Sequence, residues 1–277
     1  MPIDAQKTVL KPFPNGLRRM SAREVTDAYG LNMVLFGVPG TGKTTLAATA
    51  QDSEYGANVL FIDVEGGTRS IADRVDVDVV RPDTVGDVKN VYDWLVSEPN
   101  HGYKTIVIDT LSELQRVGMK EILATSKTPD QPGWPEWGKS TEQMMRMVRA
   151  FRNLSQTKGW NVIFTAHATE QKDAVTGSIL IRPNLTPKAT EMVCGAVDVI
   201  GYLTREPNGT RRLRMEPNNQ IVAKYRQPLT GNRLPTMIDN PSLVTMLEHL
   251  RGDAVFSPST LDRDITAMNA AVTVSVE

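Results

Sequence analysis

The chain has 277 residues, of which 40% are hydrophobic and 23% are charged, which is typical of a globular protein with a substantial core. Its formal net charge of -1 argues against a protein that coats nucleic acid by charge alone, although net charge leaves the local distribution of charge open. The only cysteine, Cys194, excludes an intramolecular disulfide, and no stretch approaches the ~18 apolar residues of a membrane span, so we expect a soluble, cytoplasmic protein without a membrane partner.

Strands and helices are predicted to alternate, because short apolar runs alternate with segments whose apolar residues recur at helical spacing. The predicted strands are "LNMVLFG", "NVLFIDVEGG", "KTIVIDT" and "WNVIFTAHA". The predicted helices are "KTTLAATA", "VGDVKNVYDWLVSE" and "LSELQRVGMKEILA". A hairpin around Asn208-Gly209 and a strand "QIVAKYR" follow. The pattern predicts an α/β fold with a mainly parallel central sheet flanked by helices and with antiparallel strands toward the C-terminus.

Two segments rich in proline, glycine or polar residues are predicted to be loops, at 125–140 and 169–190. Between them, a capping box of Ser140 and Gln143 is predicted to start a helix that stops at Gly159. The predicted organisation is a lead-in over residues 1–25, one core over 26–250 and a peripheral tail over 251–277.

The segment "GVPGTGKTT" has the complete phosphate-loop pattern of a glycine, four residues and then Gly-Lys-Thr, with a predicted strand before it and a helix after it. Glycines allow backbone N–H groups to turn toward phosphate oxygens, and a lysine in this place reaches the outer phosphates. The alternative is a chance glycine-rich turn. The pattern predicts an ATP site formed by Gly37, Val38, Pro39, Gly40, Thr41, Gly42, Lys43, Thr44 and Thr45.

A Mg²⁺ site is predicted beside the phosphates. The Thr44 hydroxyl can take one coordination place, and Asp109 at the end of "TIVID" can hold the ion through water. Asp109 lies at the carboxyl end of a predicted strand, where the ligands of open α/β sheets gather. Because a helix follows at once, Asp109 could instead be its N-cap, and the two roles can coexist.

Hydrolysis also needs a group that polarises the attacking water. Thr110 follows Asp109 directly, so the carboxylate must come from elsewhere in the chain. Glu65, after the strand "VLFID", is the candidate, with Asp63 as its support and Gly66-Gly67 turning the backbone away. The alternative is that Glu65 is a solvated loop residue.

In this order the motifs resemble the RecA-type ATPase core, and most closely the core-only RecA-like ATPases of phages described as single-strand annealing or recombination proteins. The resemblance covers roughly residues 30 to 240 and is carried by "GVPGTGKTT", "DVEGG", "VIDTLSELQR", "NVIFTAHAT", "RPNLTPKAT" and "AKYR". It implies a RecA-like P-loop NTPase core with ATP and Mg²⁺ as cofactors. It also implies that Glu65 activates water and that His167 is the polar sensor, although His167 could be a strand-end histidine satisfied by the backbone.

The same resemblance implies partners. Lys224 and Arg226 match the basic residues that reach the phosphates bound by a neighbouring subunit, which implies a homo-oligomer, ring or filament; an exposed basic strand edge is the alternative. The two predicted loops match the family's DNA-binding loops. Tryptophans could stack on bases and cations could meet phosphates, although tryptophans in such loops often pack. The residues concerned are Lys127, Trp134, Trp137, Lys139, Lys172, Arg182 and Lys188.

The leading functional hypothesis is therefore a Mg²⁺-ATP-dependent, oligomeric DNA-recombination ATPase that binds single-stranded DNA, with a single-stranded-DNA-binding protein as a further expected partner. We expect no room in the chain for the extra terminal domains of full recombinases, which favours annealing or an accessory role over autonomous strand exchange. Three alternatives stay open: a helicase-like motor or loading factor, a small-molecule kinase that uses "TREPNGTRRLR" as a lid, and a scaffold that barely hydrolyses ATP.

Overall fold

The structure, a computed structural model, describes residues 29–98, 100–126, 131–172, 177–226 and 234–253. The predicted lead-in over 1–25 and nearly all of the predicted tail over 251–277 lie outside these residues. The strands are β1 (Asn32–Gly37), β2 (Val59–Asp63), β3 (Val77–Val80), β4 (Thr105–Asp109), β5 (Asn161–Lys172), β6 (Ile179–Pro183), β7 (Val199–Arg205), β8 (Arg211–Arg214), β9 (Lys224–Tyr225) and β10 (Met237–Asp239). The helices are α1 (Lys43–Ala48), α2 (Val85–Ser97), α3 (Leu111–Ala124), α4 (Trp134–Lys158), α5 (Pro187–Ala196) and α6 (Leu243–Arg251).

The strands form a mainly parallel sheet in the spatial order β10-β8-β7-β1-β5-β4-β2-β3. The six strands from β7 to β3 in this order are parallel, whereas β8 and β10 are antiparallel to their neighbours. β6 pairs with the outer half of β5 and β9 pairs with β7, both antiparallel. The fold class is thereby confirmed as an α/β P-loop NTPase fold with antiparallel strands in its C-terminal part.

Helices cover both faces of the sheet. Residues of β1 alternate between the two cores: Val34 and Phe36 pack with α2 to α5, and Met33 and Leu35 pack with α1 and α6. All four side chains are almost completely buried. A strand buried on both faces has a continuous apolar sequence rather than an alternating one, which is why "NMVLF" is apolar throughout.

The parallel strands end together and bring the polar residues of the sequence to one edge of the sheet. Asp63 of β2 pairs in register with Asp109 of β4, and Gly37 of β1 pairs with His167 of β5. We call this side the carboxyl edge. β5 continues beyond this edge and forms with β6 an antiparallel pair, the β5–β6 hairpin.

The predicted loop over 125–140 is wrong in its second half, because α4 begins at Trp134. The helix starts at Gly133, whose N–H donates to the Glu136 carboxylate at 3.0 Å, and a proline occupies its first turn. Ser140 is buried inside the helix, so the capping box predicted there does not form the helix start.

The predicted loop over 169–190 is also wrong. β5 extends to Lys172 instead of ending near Ala168, β6 returns along it, and α5 begins at Pro187. The strand predicted at "QIVAKYR" is reduced to β9 and one isolated bridge at Ile221. β3, β10 and α6 were not predicted. The hairpin around Asn208-Gly209 is present as β7 and β8.

Candidate nucleotide-binding and hydrolysis site

The phosphate loop leaves β1 at Gly37 and enters α1 at Lys43. Gly40 and Gly42 have φ angles of 81° and 95°, a left-handed backbone that glycine adopts without strain. Gly37 is constrained by packing instead: a Cβ there would lie 2.4 Å from the carbonyl oxygen of Leu203 on β7. The loop is therefore held against the sheet at its first residue and turned by its later glycines.

Lys43 places a buried ammonium inside this loop. Its Nζ donates to the carbonyls of Gly37 at 3.0 Å and Val38 at 3.2 Å, and the residue is 7% exposed. Burial lowers the pKa of Lys43, while the charges of Asp109 and Glu65 act in the opposite direction. A buried cation at the centre of a phosphate loop is stabilised by the anionic oxygens of a nucleotide.

Thr44 and Asp109 lie in direct contact. The Thr44 hydroxyl donates to Oδ2 of Asp109 at 2.7 Å, and the Thr165 hydroxyl donates to Oδ1. Asp109 is 2% exposed, and burial raises its pKa. The hydrogen bonds from Thr165 and Thr44 oppose this rise, and the charges of Glu65 and Asp63 add to it. A cation would stabilise the ionised carboxylate here.

These oxygens fit Mg²⁺. The ion prefers hard oxygen ligands and usually takes one or two carboxylates together with substrate phosphates, which a hydroxyl and a carboxylate beside a phosphate loop can complete. Within the described part of the chain no group of three or more His, Cys, Asp or Glu residues could hold a metal by itself. Thr110 is the N-cap of α3 and accepts from the Glu113 N–H at 3.2 Å, so the interpretation of Asp109 as N-cap is wrong.

Asp63 shapes the turn after β2. Its Oδ1 accepts from the N–H groups of Gly66 at 2.7 Å and Gly67 at 3.2 Å, and its Oδ2 accepts from the Thr68 hydroxyl at 2.7 Å. The Glu65 N–H donates to the Asp109 carbonyl at 3.2 Å. Asp63 is thus a buried acceptor that fixes the turn carrying Glu65.

Glu65 and His167 meet across the carboxyl edge. Oε1 of Glu65 lies 3.2 Å from Nε2 of His167, and the Glu65 side chain is 37% exposed. The His167 N–H donates to the Ser112 hydroxyl at 3.1 Å, whereas its buried Nδ1 has no hydrogen-bond partner among the described residues. Of the three carboxylates at this edge, Glu65 is the one open to solvent, where a water can approach it.

Lys224 and Arg226 lie far from the phosphate loop of their own chain. β9 pairs with the first residues of β7, at the opposite edge of the sheet, which we call the amino edge. Lys224 Nζ donates to the carbonyls of Cys194, Gly195 and Val197 at the end of α5. Arg226 pairs with Asp198 at 2.7 Å. Neither residue can complete the ATP site of the same subunit.

The residues predicted to bind DNA are placed on several elements, and the structure brings only some of them together. Trp134 and Trp137 are on the first turn of α4 and are 92% and 39% exposed. Trp137 lines a cavity of about 830 Å³ between α3, α4 and residues 184–186. Lys139 lines a different cavity, of about 510 Å³, against α2.

The remaining predicted DNA contacts also differ in their surroundings. Lys172 and Lys188 are exposed on β5 and on the first turn of α5. Arg182 is half-buried and donates to the Leu185 carbonyl and the Thr190 hydroxyl, so its Nη1 stabilises the turn after β6. Lys127 lies outside the described residues.

Two functional neighbours were missed from the sequence. Thr165 binds Asp109, and Ser112 binds the backbone of His167. Thr165 lies two residues before His167 on the same strand and therefore on the same face, a spacing that could have identified it. Ser112 could not have been found this way, because its contact depends on how α3 packs beside β5.

The described helices include none with the length and apolarity required to cross a bilayer. No curated protein matches the sequence. A family model described as an AAA domain matches residues 29–227, which include the phosphate loop, Glu65, Asp109, His167 and both basic residues of the amino edge. This match covers well over half of the chain. The chain therefore belongs to the AAA domain family and is a nucleotide-hydrolysing P-loop protein.

Proposed function

We propose that the protein is a Mg²⁺-ATP-dependent, oligomeric ATPase of DNA recombination that binds single-stranded DNA and promotes its annealing, of the kind that phages encode. The observation that carries the proposal is the contact of Glu65 with His167 at 3.2 Å. His167 lies where β5 leaves the sheet, and five residues later the same strand is exposed in the β5–β6 hairpin. A ligand on this hairpin can therefore act on the hydrolytic carboxylate through one continuous strand.

In this proposal each residue of the carboxyl edge has one role. Lys43 binds the outer phosphates, and Thr44 and Asp109 hold the metal. The Mg²⁺ ion, when bound, neutralises phosphate charge. Glu65 orients and polarises the attacking water, and His167 holds Glu65 in place through Nε2. Glu65 is exposed whereas the two neighbouring aspartates are buried, which supports the assignment of water activation to Glu65.

The proposed DNA surface is the cavity that Trp137 lines, together with the neighbouring hairpin. Arg116 and Lys120 of α3 line the same cavity, and Trp134 is exposed on the same helix turn as Trp137. Aromatic side chains that stack on bases beside cations that meet phosphates are the recurring arrangement for single-stranded nucleic acid. Ser112, which binds the backbone of His167, also lines this cavity and connects it to the hydrolytic site.

Assembly into a ring or filament is proposed from the amino edge. Lys224 and Arg226 lie at the side of the sheet opposite to the ATP site, so a head-to-tail neighbour could present them to the phosphates of the next subunit. Such a shared site makes hydrolysis depend on assembly, as an arginine finger supplied by a partner does.

The first test is steady-state ATP hydrolysis with and without single-stranded DNA, beside the mass of the protein with a non-hydrolysable ATP analogue. We expect stimulation by DNA and assembly that requires the nucleotide. Trp137→Ala should lose the stimulation while keeping the basal rate. Trp94→Ala, which removes a half-exposed tryptophan from α2, should keep both.

Hydrolysis that is indifferent to DNA and carried out by a monomer would contradict the proposal and would favour the kinase alternative, to be tested with small-molecule phosphate acceptors. The segment suggested as a kinase lid is part of the central sheet, since β7 pairs with β1 and β8 with β10. Rapid DNA-dependent turnover without strand annealing would instead favour the helicase-like motor.

A further inference from the structure

Arg211, the first residue of β8, lies directly on the phosphate loop. A Cβ on Gly42 would lie 2.8 Å from Nε, 2.9 Å from Cζ and 3.2 Å from Nη2 of Arg211. Because these three distances are nearly equal, one flat face of the guanidinium covers Gly42.

The charge of Arg211 is not used within the fold. Its guanidinium makes no hydrogen bond or ion pair with any residue in the part of the chain that the structure describes. The next residue differs: Arg212 pairs with Asp239 at 2.7 Å and with Glu206 at 3.8 Å. The backbone of Arg211 is nevertheless fixed, since its carbonyl accepts from the Asn240 N–H at 2.6 Å. The fixed backbone of Arg211 therefore holds its guanidinium, which has no ion-pair partner among the described residues, against the phosphate loop.

The direction from which Arg211 approaches indicates which part of a nucleotide it meets. In the order β8-β7-β1-β5-β4, Asp109 lies on one side of β1 and Arg211 on the other. Thr44 faces Asp109, so the metal and the outer phosphates belong to the β4 side. The inner part of a bound nucleotide would then lie toward β7 and β8.

We propose that Arg211 is a nucleotide-binding residue that contacts the α-phosphate of the ATP bound in its own subunit. The inference rests on the proposed ATP site and adds to it a cation from the same chain, distinct from Lys224 and Arg226. Guanidinium groups bind phosphate oxygens through paired, charge-assisted hydrogen bonds. Since ATP and ADP share the α-phosphate, Arg211 stabilises both ligands equally.

The experiment is calorimetric titration of Mg-ADP and of a non-hydrolysable Mg-ATP analogue into the full chain. Arg211→Gln keeps most of the side-chain stem and removes the charge, and we expect both ligands to bind about tenfold more weakly. Arg211→Lys should fall between this variant and the wild type. Arg214→Ala is the matched control, because Arg214 is on the same strand, also without a side-chain partner among the described residues, and it should leave both affinities unchanged.

Steady-state kinetics and stability give independent readouts. Arg211→Gln should raise KM for ATP by a similar factor and leave kcat within about twofold, because the contact is made equally in the ground state and the transition state. Its melting temperature without nucleotide should equal that of the wild type. A lower melting temperature with unchanged affinities would assign Arg211 a packing role only.

Two results would overturn the inference: unchanged affinity for both ligands in Arg211→Gln, or a loss confined to the ATP analogue, which would place the guanidinium at the γ-phosphate. Failure of the proposed function itself looks different. In that case the wild-type protein binds neither ligand, or Lys43→Ala binds them as tightly as the wild type does.

Discussion

Three carboxylates at the carboxyl edge of the sheet have separate surroundings. Asp63 accepts two backbone N–H groups and one hydroxyl, and Asp109 accepts two hydroxyls; both are 2% exposed. Glu65 instead faces His167 at the surface of the site. Like charges are tolerated here because Lys43 and these donors offset their repulsion, and a metal held by Asp109 would offset more of it.

Replacing Glu65 with glutamine tests its role as the group that polarises water. Glu65→Gln keeps the size of the side chain and removes its negative charge, so we expect hydrolysis to fall by about 100-fold or more. Binding of Mg-ATP should change little. Glu98→Gln, at an exposed position after α2, is the control and should leave the rate unchanged. A wild-type rate in Glu65→Gln would assign the water-activating role to another group.

Replacing Asp109 with asparagine should separate stability from activity. Burial raises the pKa of Asp109, so its ionised form destabilises the metal-free fold at neutral pH. Asp109→Asn removes that charge and can still bond to both threonines; we expect the melting temperature in EDTA to rise by about 2–4 °C and Mg²⁺-dependent hydrolysis to be lost.

The sign of the pH dependence follows from the same shift. A carboxyl with a raised pKa binds its proton more tightly in the folded state than in the unfolded state. Protonation of Asp109 on acidification therefore raises the free energy of unfolding of the wild type. The difference in melting temperature between Asp109→Asn and the wild type should therefore shrink as the pH falls toward 4. A variant that melts below the wild type at neutral pH would show that the hydrogen bonds to Asp109 outweigh the burial of its charge.

The sequence predicts the local part of this site and misses the non-local part. Lys43, Thr44 and Asp109 follow from a motif and from strand ends, which are properties of short segments. The contacts of Thr165 with Asp109 and of Arg211 with Gly42 depend on which strands become neighbours. Strand order is set by packing over the whole sheet, so no local pattern specifies it.

Among the helices and strands, the predictions from sequence are wrong where local composition favours one structure and pairing in the folded protein imposes another. The segment "GWPEW" has the proline and glycine of a loop, yet its glycine, proline and glutamate form the start of α4. β3 and β10 are four and three residues long, too short to show a period, and they are stabilised by pairing with β2 and β8. The sequence at the exposed end of β5 is polar because this end pairs with β6 outside the core, and a polar sequence predicts a loop.

The C-terminal end of α5 gives a prediction about the thiol of Cys194. Burial raises the pKa of this thiol to about 11, although the charges of Lys224 and Arg182 act against the rise. Because only the thiolate reacts, labelling by a maleimide at pH 8 should be on the order of 100-fold slower than for an unperturbed cysteine. The rate should rise about tenfold per pH unit up to pH 10.

The chain has one cysteine, so the label reports this position alone. The matched comparison is the same protein in denaturant, where the thiol should regain an ordinary pKa near 8.5. Lys224→Ala removes the cation that lowers the thiol pKa and should slow labelling further. A rate that levels off below pH 10 in the folded protein would contradict the buried position of the thiol.

At the scale of the whole molecule, the two edges of the sheet hold complementary groups. The carboxyl edge carries the phosphate loop, and the amino edge carries Lys224 and Arg226. In an isolated subunit both cations are engaged, Lys224 with carbonyls at the end of α5 and Arg226 with Asp198. Their use by a neighbour therefore requires these contacts to be exchanged for phosphate contacts during assembly.

Mixing two inactive variants tests this shared site. Lys43→Ala removes a residue of the subunit's own site, and Lys224→Ala removes the group proposed to act in the neighbouring subunit. Each variant alone should be inactive. In an equimolar mixture, random assembly gives about a quarter of sites an intact Lys43 and a neighbour with an intact Lys224, so partial activity should return.

The control mixture is Lys43→Ala with Asp109→Asn. Both residues belong to the same subunit's site, so every site keeps one defect and the mixture should stay inactive. Full activity of Lys224→Ala alone would contradict the shared-site proposal. So would an inactive mixture of Lys43→Ala and Lys224→Ala in which mixed oligomers do form.

The close approach of Gly37 to Leu203 determines how the protein tolerates genetic variation in its phosphate loop. Any side chain at Gly37 meets a backbone carbonyl of β7 at 2.4 Å, so substitution there should lower the cellular amount of folded protein even when nucleotide binding is not under selection. Gly40 has no neighbour within 4 Å of a built Cβ and is restricted only by its φ of 81°. A saturation library scored separately for abundance and for activity should therefore deplete Gly37 variants in both screens, and Lys43 variants in the activity screen alone.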